Sequence, residues 1–262
     1  MSDLVLRVGV ATQQETLEAL FARSVPGGPR LPRAFVGAPG VGSDPGPLAA
    51  FVQQRRGVAL DLYLLGQAAA HQGEHGLALP SSVWARALGI SAGAGAAATI
   101  SKSWSWLERQ GLVATVRRGR LRQVRFLDFP PAAVAKHDAC FELPRAYWYG
   151  SYAARLSLPG KAVLLIALSL SGSFALPRDR GGRRWGLSQD TLRRGSTTLI
   201  HLGLLDFSPE PQTAPLSTRG YTIERRYWLR PPFGSAGPVR PGGVAAGRRR
   251  QRAAAQSGAS SS

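Results

Sequence analysis

The most constraining feature of this sequence is a short segment that occurs twice. LPSSVWARALGIS spans residues 79–91 and LPRDRGGRRWGLS spans residues 176–188, and both copies begin with Leu-Pro and end with Gly, Leu or Ile, and Ser. Repetition of a segment indicates that a structural unit has been duplicated. Because domains usually contain about 100–150 residues, a chain of 262 residues has room for two such units.

The patterns around each copy predict the same order of elements. In the first half, apolar periodicity and glycine breaks predict helices over 58–70, from Pro80 onward and over 96–110, then a hairpin that turns at Arg118-Gly119-Arg120. In the second half they predict helices over 160–172, within 176–188 and over 188–205, then two strands within 206–233. Three helices followed by a basic hairpin is the layout of a winged helix-turn-helix.

We therefore predict a mainly α protein with small β wings, built from two winged helix-turn-helix domains in tandem. The predicted division is an N-terminal segment and linker over 1–47, a first winged-helix domain over 48–130, a connector over 131–157, a second winged-helix domain over 158–233 and a disordered basic tail over 234–262. Within the first segment, a strand is predicted over Leu4–Val10, a helix over Thr12–Arg23 and a short extended piece over Arg33–Val36. The tail has few large apolar residues, which is typical of disorder.

The charge balance points to a polyanionic partner. The chain has 33 Lys and Arg against 15 Asp and Glu, a formal net charge of +18, which favours DNA, RNA or an anionic membrane face. The longest apolar run, VLLIALSL over 163–170, is far shorter than the roughly 20 residues that cross a bilayer, so no membrane partner is predicted. The single cysteine, Cys140, excludes an internal disulfide, and the N-terminus does not resemble a signal peptide. We expect a cytoplasmic, nucleoid-associated protein.

Motifs for catalysis and metal binding are weak. HQGEH over 71–75 matches the H-x-x-E-H spacing of some zinc peptidases, but Gly73 lies inside it and a polar loop is expected there. GAPGVGSDPG over 37–46 lacks the Gly-Lys-Ser/Thr of a phosphate-binding loop and is interpreted as a linker. No carboxylate pair or Ser/His/Asp arrangement stands out. The sequence therefore predicts no enzymatic activity, no metal and no cofactor.

Polar residues on the third helix of each unit are the candidates for contact with DNA. Ile100, Leu107, Leu192 and Leu199 are predicted to face the core, which leaves the other faces outward. The predicted contact residues of the two helices are Thr99, Lys102, Ser103, Ser188, Gln189, Thr191, Arg193, Arg194 and Thr197, with Ser188 also an N-cap candidate. The first hairpin adds Arg117, Arg118, Arg120 and Arg122, which are expected to reach a phosphate or the minor groove.

Two stretches carry a resemblance to a known group of proteins. LSQDTLRRGSTTLIHLGLL over 187–205, and FELPRAYWYGSYAARLSLPGKAVLLIALSL over 141–170 leading into it, resemble bacterial two-winged-helix DNA-binding proteins, which include plasmid replication initiators and some regulators. The resemblance covers roughly residues 48–232. The Gly181-Gly182 pair and the acidic, proline-rich tip of the second hairpin, with Asp206 and Glu210, depart from it.

The function that this reasoning predicts is sequence-selective binding of double-stranded DNA in transcriptional regulation. One alternative is a plasmid replication initiator that binds repeated sites at an origin. Another is a non-enzymatic assembly protein that uses the same units for protein contacts. A homodimer is compatible with each of these roles.

Overall fold

The computed structural model describes residues 10–24, 26–37, 45–70, 76–91, 93–119, 121–127, 140–176 and 184–234. The helices are α1 (Gln13–Ala22), α2 (Leu48–Gln53), α3 (Gly57–Ala69), α4 (Ser81–Ala87), α5 (Ala94–Arg109), α6 (Ala146–Tyr149), α7 (Tyr152–Arg155), α8 (Leu158–Leu170) and α9 (Gln189–His201). The strands are β1 (Arg30–Pro32), β2 (Leu77–Ala78), β3 (Val113–Arg118), β4 (Leu121–Phe126), β5 (Cys140–Glu142), β6 (Phe174–Ala175), β7 (Leu205–Thr213) and β8 (Tyr221–Leu229). A 3₁₀ turn covers Arg33–Phe35.

The structure contains two regions in which elements follow one another in a common order. In the first repeat, residues 57–126, α3, β2, α4 and α5 precede the β3–β4 hairpin. In the second repeat, residues 158–229, α8, β6 and α9 precede the β7–β8 hairpin, and residues 177–183 lie outside the described residues. Each two-residue strand adds to its hairpin, giving sheets in the orders β2-β4-β3 and β6-β8-β7. Leu77 lies opposite Val124 in the first sheet, and Phe174 lies opposite Tyr227 in the second.

Glycines end equivalent segments of the two repeats in the same backbone conformation. Gly89 and Gly186, which occupy the same position in the repeated sequence segment, have φ angles of 68° and 61°. Gly111 and Gly203, which follow α5 and α9, have φ angles of 68° and 70°. Because the left-handed region is accessible to glycine without a Cβ clash, it stops helices at these points. The repeat in the sequence is therefore also a repeat of backbone geometry.

Several helices begin at side chains that cap their first turn. Thr12 and Glu15 form a reciprocal capping box at α1. The Ser157 hydroxyl accepts a hydrogen bond from an amide in the first turn of α8. The predicted N-cap of α9 is confirmed, because the Oγ of Ser188 accepts a 3.2 Å hydrogen bond from the Thr191 amide.

The two repeats share one hydrophobic core. Leu64 and Ile100 of the first repeat belong to the same buried cluster as Leu164 and Leu199 of the second. The segments on either side contribute as well, since β1 pairs antiparallel with β5 and thereby joins the N-terminal region to the stretch between the repeats. The boundaries of the predicted domains stay a prediction.

The predicted fold class is wrong. Of the described residues, 48% are helical and 21% are in strands, which form three small antiparallel sheets. The protein is therefore mixed α/β, not mainly α with tandem winged helix-turn-helix domains. The strand content is higher than predicted because β7 and β8 pair over nine residues each. Strand β7 contains Pro209 and Pro211, and these prolines are tolerated because β7 lies at the edge of its sheet. Strands of two residues, such as β2 and β6, are also too short to show alternation.

Other expectations differ in detail or lie outside the described residues. The extended piece expected at Arg33–Val36 is a strand over Arg30–Pro32 followed by the 3₁₀ turn. The predicted strand at Leu4–Val10 lies outside the described residues except for its last position. The HQGEH segment at 71–75 and the tail from 235 onward lie entirely outside them.

Helix α8 contains the longest apolar run of the sequence and lies in the core. Leu164 and Ile166 are fully buried, and the helix packs against α2, α9 and β5. Among the helices that the structure describes, none is both long and apolar enough to cross a membrane.

Helix α9 approaches α8 closely at Gly195, and this contact predicts a large difference between two glycine substitutions. A Cβ at Gly195 would lie 2.3 Å from the carbonyl oxygen of Pro159 and 2.5 Å from a methyl carbon of Val163. We expect Gly195→Ala to lower the free energy of unfolding by about 1–3 kcal/mol, because overpacking forces the two helices apart. Urea denaturation followed by circular dichroism measures the change.

Gly57→Ala is the matched control, since Gly57 is also helical and a Cβ there would meet open space. That variant should be unchanged or stabilised by up to about 1 kcal/mol, because alanine favours helix more than glycine does. Equal midpoints for Gly195→Ala and the wild-type protein would contradict the close approach of α8 and α9.

Candidate nucleic-acid interface

Helix α9 presents a polar face to solvent because its opposite face is held by the core. Leu192, Gly195 and Leu199 are buried, and α8 is the main neighbour of this helix. The exposed residues of α9 include Gln189, Arg193, Arg194, Thr197 and His201. The structure therefore gathers most of the predicted contact residues of the second repeat on one outward face.

Asp190, in the first turn of α9, forms ion pairs with both arginines of this face. Arg193 Nη2 lies 2.8 Å from Asp190 Oδ1, and Arg194 Nη2 lies 2.6 Å from Asp190 Oδ2. The hydrogen bond from Arg193, together with the charge of Arg194, lowers the pKa of the Asp190 carboxyl, which is therefore ionised at neutral pH. The two guanidinium groups remain accessible, with side-chain exposures of 71% and 66%.

Ser188 and Thr191 have structural partners at the start of α9. Their hydroxyl oxygens lie 2.9 Å apart, and the Ser188 hydroxyl also caps the helix. Ser188 is exposed and Thr191 is half-buried. Both residues therefore stabilise the first turn of α9, and they lie at the border of the face that carries the arginines.

The β7–β8 hairpin carries further cations beside α9. The Cζ atom of Arg225 lies 4.9 Å from the ring centroid of Phe207. The acidic residues that depart from the resemblance are paired with other arginines of this region: Glu210 with Arg226 at 3.3 Å and Asp206 with Arg230 at 3.6 Å. These two carboxylates of β7 are thus each paired with an arginine.

The predicted contact residues of α5 do not all face outward. Lys102 is exposed, and Thr99 is half-buried with its hydroxyl donating to the carbonyl oxygen of Gly95 at 2.8 Å. Ser103 is only 9% exposed and donates to the Thr99 carbonyl oxygen at 2.8 Å, so its predicted outward position is wrong. Small hydroxyl side chains fit a packed helix face when the preceding turn accepts their proton, and the sequence pattern does not reveal this. Trp104, which follows Ser103 on α5, is also buried.

The predicted arginines of the first hairpin have different surroundings. Arg117 is exposed on β3. Arg122 is half-buried and its guanidinium points at α5, where Nη1 donates to the Ser101 carbonyl oxygen at 3.3 Å and to Ser105 Oγ at 3.4 Å. Arg118 lies in β3, but its side chain is outside the described part of the structure, as is the whole of Arg120.

Arg225 is a candidate that the sequence analysis missed. It lies on β8 and faces the same groove as Gln189, Arg193 and Thr197 of α9. Arg225 occupies the position in β8 that Arg122 occupies in β4. Arg122 lies two residues before Val124, which pairs with the first residue of β2. Arg225 lies two residues before Tyr227, which pairs with the first residue of β6. The longer tip of the second hairpin hides this correspondence in the sequence.

No cluster of metal ligands accompanies this surface. In the described ranges, no three His, Cys, Asp or Glu side chains come together as a metal site requires. Cys140 is a free thiol and half-buried. The candidate interface thus consists of arginine, lysine, hydroxyl and amide groups, together with the carboxylate of Asp190.

The sequence matches no protein-family model and no curated protein.

Proposed function

We propose that the protein binds double-stranded DNA with sequence selectivity, through α5, α9 and the hairpins that follow them. The observation that carries this proposal is the pair Arg193 and Arg194, two exposed guanidinium groups on a helix whose other face is fixed against α8. A fixed backbone lets an arginine reach a base edge with reproducible geometry. Its planar fork matches the O6 and N7 acceptors of guanine in the major groove.

The ion pairs with Asp190 are compatible with this role. Exposed ion pairs contribute little to stability, so the arginines can exchange Asp190 for DNA at small cost.

The second support is the repetition of the arrangement within one chain. Lys102 on α5 and Arg194 on α9 occupy corresponding positions, and both are exposed. A net charge of +18 then supplies the attraction to phosphates that any sequence offers. The biological role that we propose for this binding is transcriptional regulation.

Affinity for duplex DNA should fall steeply as the salt concentration rises. Each neutralised phosphate contributes about −0.9 to the slope of log affinity against log salt, so six contacts give a slope of about −5. Fluorescence anisotropy of a labelled duplex across a salt series measures the slope. An affinity that does not change between low and physiological salt would exclude nucleic acid as the partner.

Selection from a random duplex pool tests the selectivity itself. Enrichment of a defined site supports the proposal, and a palindrome that maps near promoters supports regulation. Enrichment of direct repeats at high occupancy would instead indicate a replication initiator. A pool that remains random after several rounds would contradict sequence-selective binding and favour an assembly role.

A further inference from the structure

Each repeat has a groove between its third helix and its hairpin, and the two grooves differ in size. The groove volume is about 100 Å³ in the first repeat and about 450 Å³ in the second. Corresponding residues line both: Leu79, Trp104 and Arg122 in the first, and Leu176, Ser196 and Arg225 in the second. Two of these three matched positions differ between the repeats, in the side chain present or in its direction.

The first groove is filled by two side chains of its own repeat. The indole of Trp104 is buried and packs edge-on against Trp84, with ring centroids 5.5 Å apart. Arg122 crosses from β4 to α5, where it donates to Ser101 and Ser105. The space that remains is too small for an organic ligand, since ligand pockets usually have about 300–1,000 Å³.

The second groove lacks both of these fillers. Ser196 replaces the indole with a hydroxyl, which donates to the Leu192 carbonyl oxygen at 2.8 Å and so stays within its own helix. Arg225 lies over the Phe207 ring instead of crossing to α9. The resulting groove reaches the size of a small-molecule site.

The chemistry of the second groove is apolar on its walls and cationic at its edge. Leu176, Ile200 and Tyr227 supply apolar surface, whereas Arg193 and Arg225 supply guanidinium groups. We propose that this groove binds a small amphipathic anion, an aromatic carboxylate of one or two rings. The rings would pack on the apolar wall while the carboxylate accepts hydrogen bonds from the arginines.

Asp190 also lines this groove, and its charge has to be counted. Its carboxylate is already shared by Arg193 and Arg194, so two cations compensate one anion at this end of α9. Arg225 adds a further cation from the hairpin. The groove therefore keeps a positive balance toward a second carboxylate.

Isothermal titration of the full-length protein with β-naphthoate, without nucleic acid, tests this site independently of the proposed DNA binding. We expect one binding event with a dissociation constant of about 0.1–1 mM, typical of a ligand of this size. The neutral isostere β-naphthylmethanol should bind at least about tenfold more weakly, because it cannot form the charge-assisted hydrogen bonds.

Two variants locate the binding event. Ser196→Trp copies the first repeat and should abolish binding, because the indole fills the groove. Arg225→Gln, an exposed substitution that the fold tolerates, should weaken binding about tenfold, as expected for one lost charge-assisted contact. Arg226→Gln is its matched control, because successive residues of a strand point to opposite faces and Arg226 pairs with Glu210 there.

The results separate a built site from general attraction to a basic protein. Loss in Arg225→Gln with retention in Arg226→Gln supports the proposal even where Ser196→Trp fails to fold. Equal binding by the wild-type protein, Arg225→Gln and Arg226→Gln would mean that β-naphthoate associates with surface arginines at large, and would overturn it. Equal affinity for the neutral isostere would overturn the assignment of the ligand as an anion.

Discussion

Replacing Lys161 with methionine should lower the free energy of unfolding by about 3–5 kcal/mol, because it leaves a carboxylate buried without its counter-ion. Lys161 Nζ lies 2.5 Å from Asp61 Oδ2, and the two side chains are only 8% and 15% exposed. Methionine keeps the length of the side chain and its apolar stem. The lost free energy therefore reports the charge and not a cavity. Chemical denaturation followed by circular dichroism and tryptophan fluorescence measures it.

This ion pair connects parts of the fold that are distant in sequence. Asp61 lies on α3 of the first repeat and Lys161 on α8 of the second. The hydroxyl of Tyr147, on α6 between the repeats, donates to Asp61 Oδ1 at 3.0 Å. Breaking the pair should loosen the junction between the repeats as well as destabilise the chain.

The double variant Asp61→Asn with Lys161→Met is the control for this interpretation. Removing both charges takes away the uncompensated carboxylate, and the asparagine amide oxygen can still accept the Tyr147 hydrogen bond. Since neutral replacements of buried pairs are often nearly neutral in stability, we expect the double variant to recover more than half of the loss. A double variant less stable than Lys161→Met would show that the loss does not arise from the buried charge.

The effect should also depend on pH in a defined direction. Burial raises the pKa of Asp61, while the Lys161 ammonium and the Tyr147 hydroxyl oppose this shift. Removing the ammonium raises the pKa of Asp61 further. A carboxyl whose folded pKa exceeds its unfolded value of about 3.9 loses stability as pH rises above that value. The difference between Lys161→Met and the wild-type protein should thus be largest near pH 7 and shrink toward pH 4.

The sequence predicted local features of the fold correctly in elements that have one apolar side. Ile100, Leu107, Leu192 and Leu199 are buried as their helical spacing predicts, and Ser188 caps α9. The hairpin that joins β3 to β4 turns where the basic, glycine-containing segment predicts. These features depend on residues close together in the chain, for which periodicity and capping are sufficient signals.

Features that depend on distant residues did not follow from the sequence. The pairing of β1 with β5, and of Asp61 with Lys161, joins segments about a hundred residues apart, and neither has a local pattern. At the candidate interface, the spacing of Arg122 gave no indication that its guanidinium would reach back to α5. A basic residue on a strand can contact solvent, DNA or its own helix, and only the packing of the hairpin decides which.

Replacing both Arg193 and Arg194 with alanine should remove most of the discrimination between a selected DNA site and its single-base variants. Each bidentate contact between arginine and guanine contributes about 1–3 kcal/mol of discrimination, so the pair accounts for up to about 6 kcal/mol. Both side chains are exposed, and the buried face of α9 is untouched. The variant should stay folded, as circular dichroism can verify, and anisotropy titrations on the site and its variants measure the change.

The matched control removes the same number of charges from the first hairpin, with Arg117→Ala and Arg125→Ala, both exposed on the β3–β4 sheet. Arginines that touch only phosphates contribute equally on every sequence, so this variant should bind all sites more weakly while the order of preference is kept. Its salt slope should also fall by about one for each lost contact. If the two double variants weaken binding equally on every sequence, Arg193 and Arg194 hold phosphates as well. Selectivity would then have to arise elsewhere, from α5 or from the shape of the DNA.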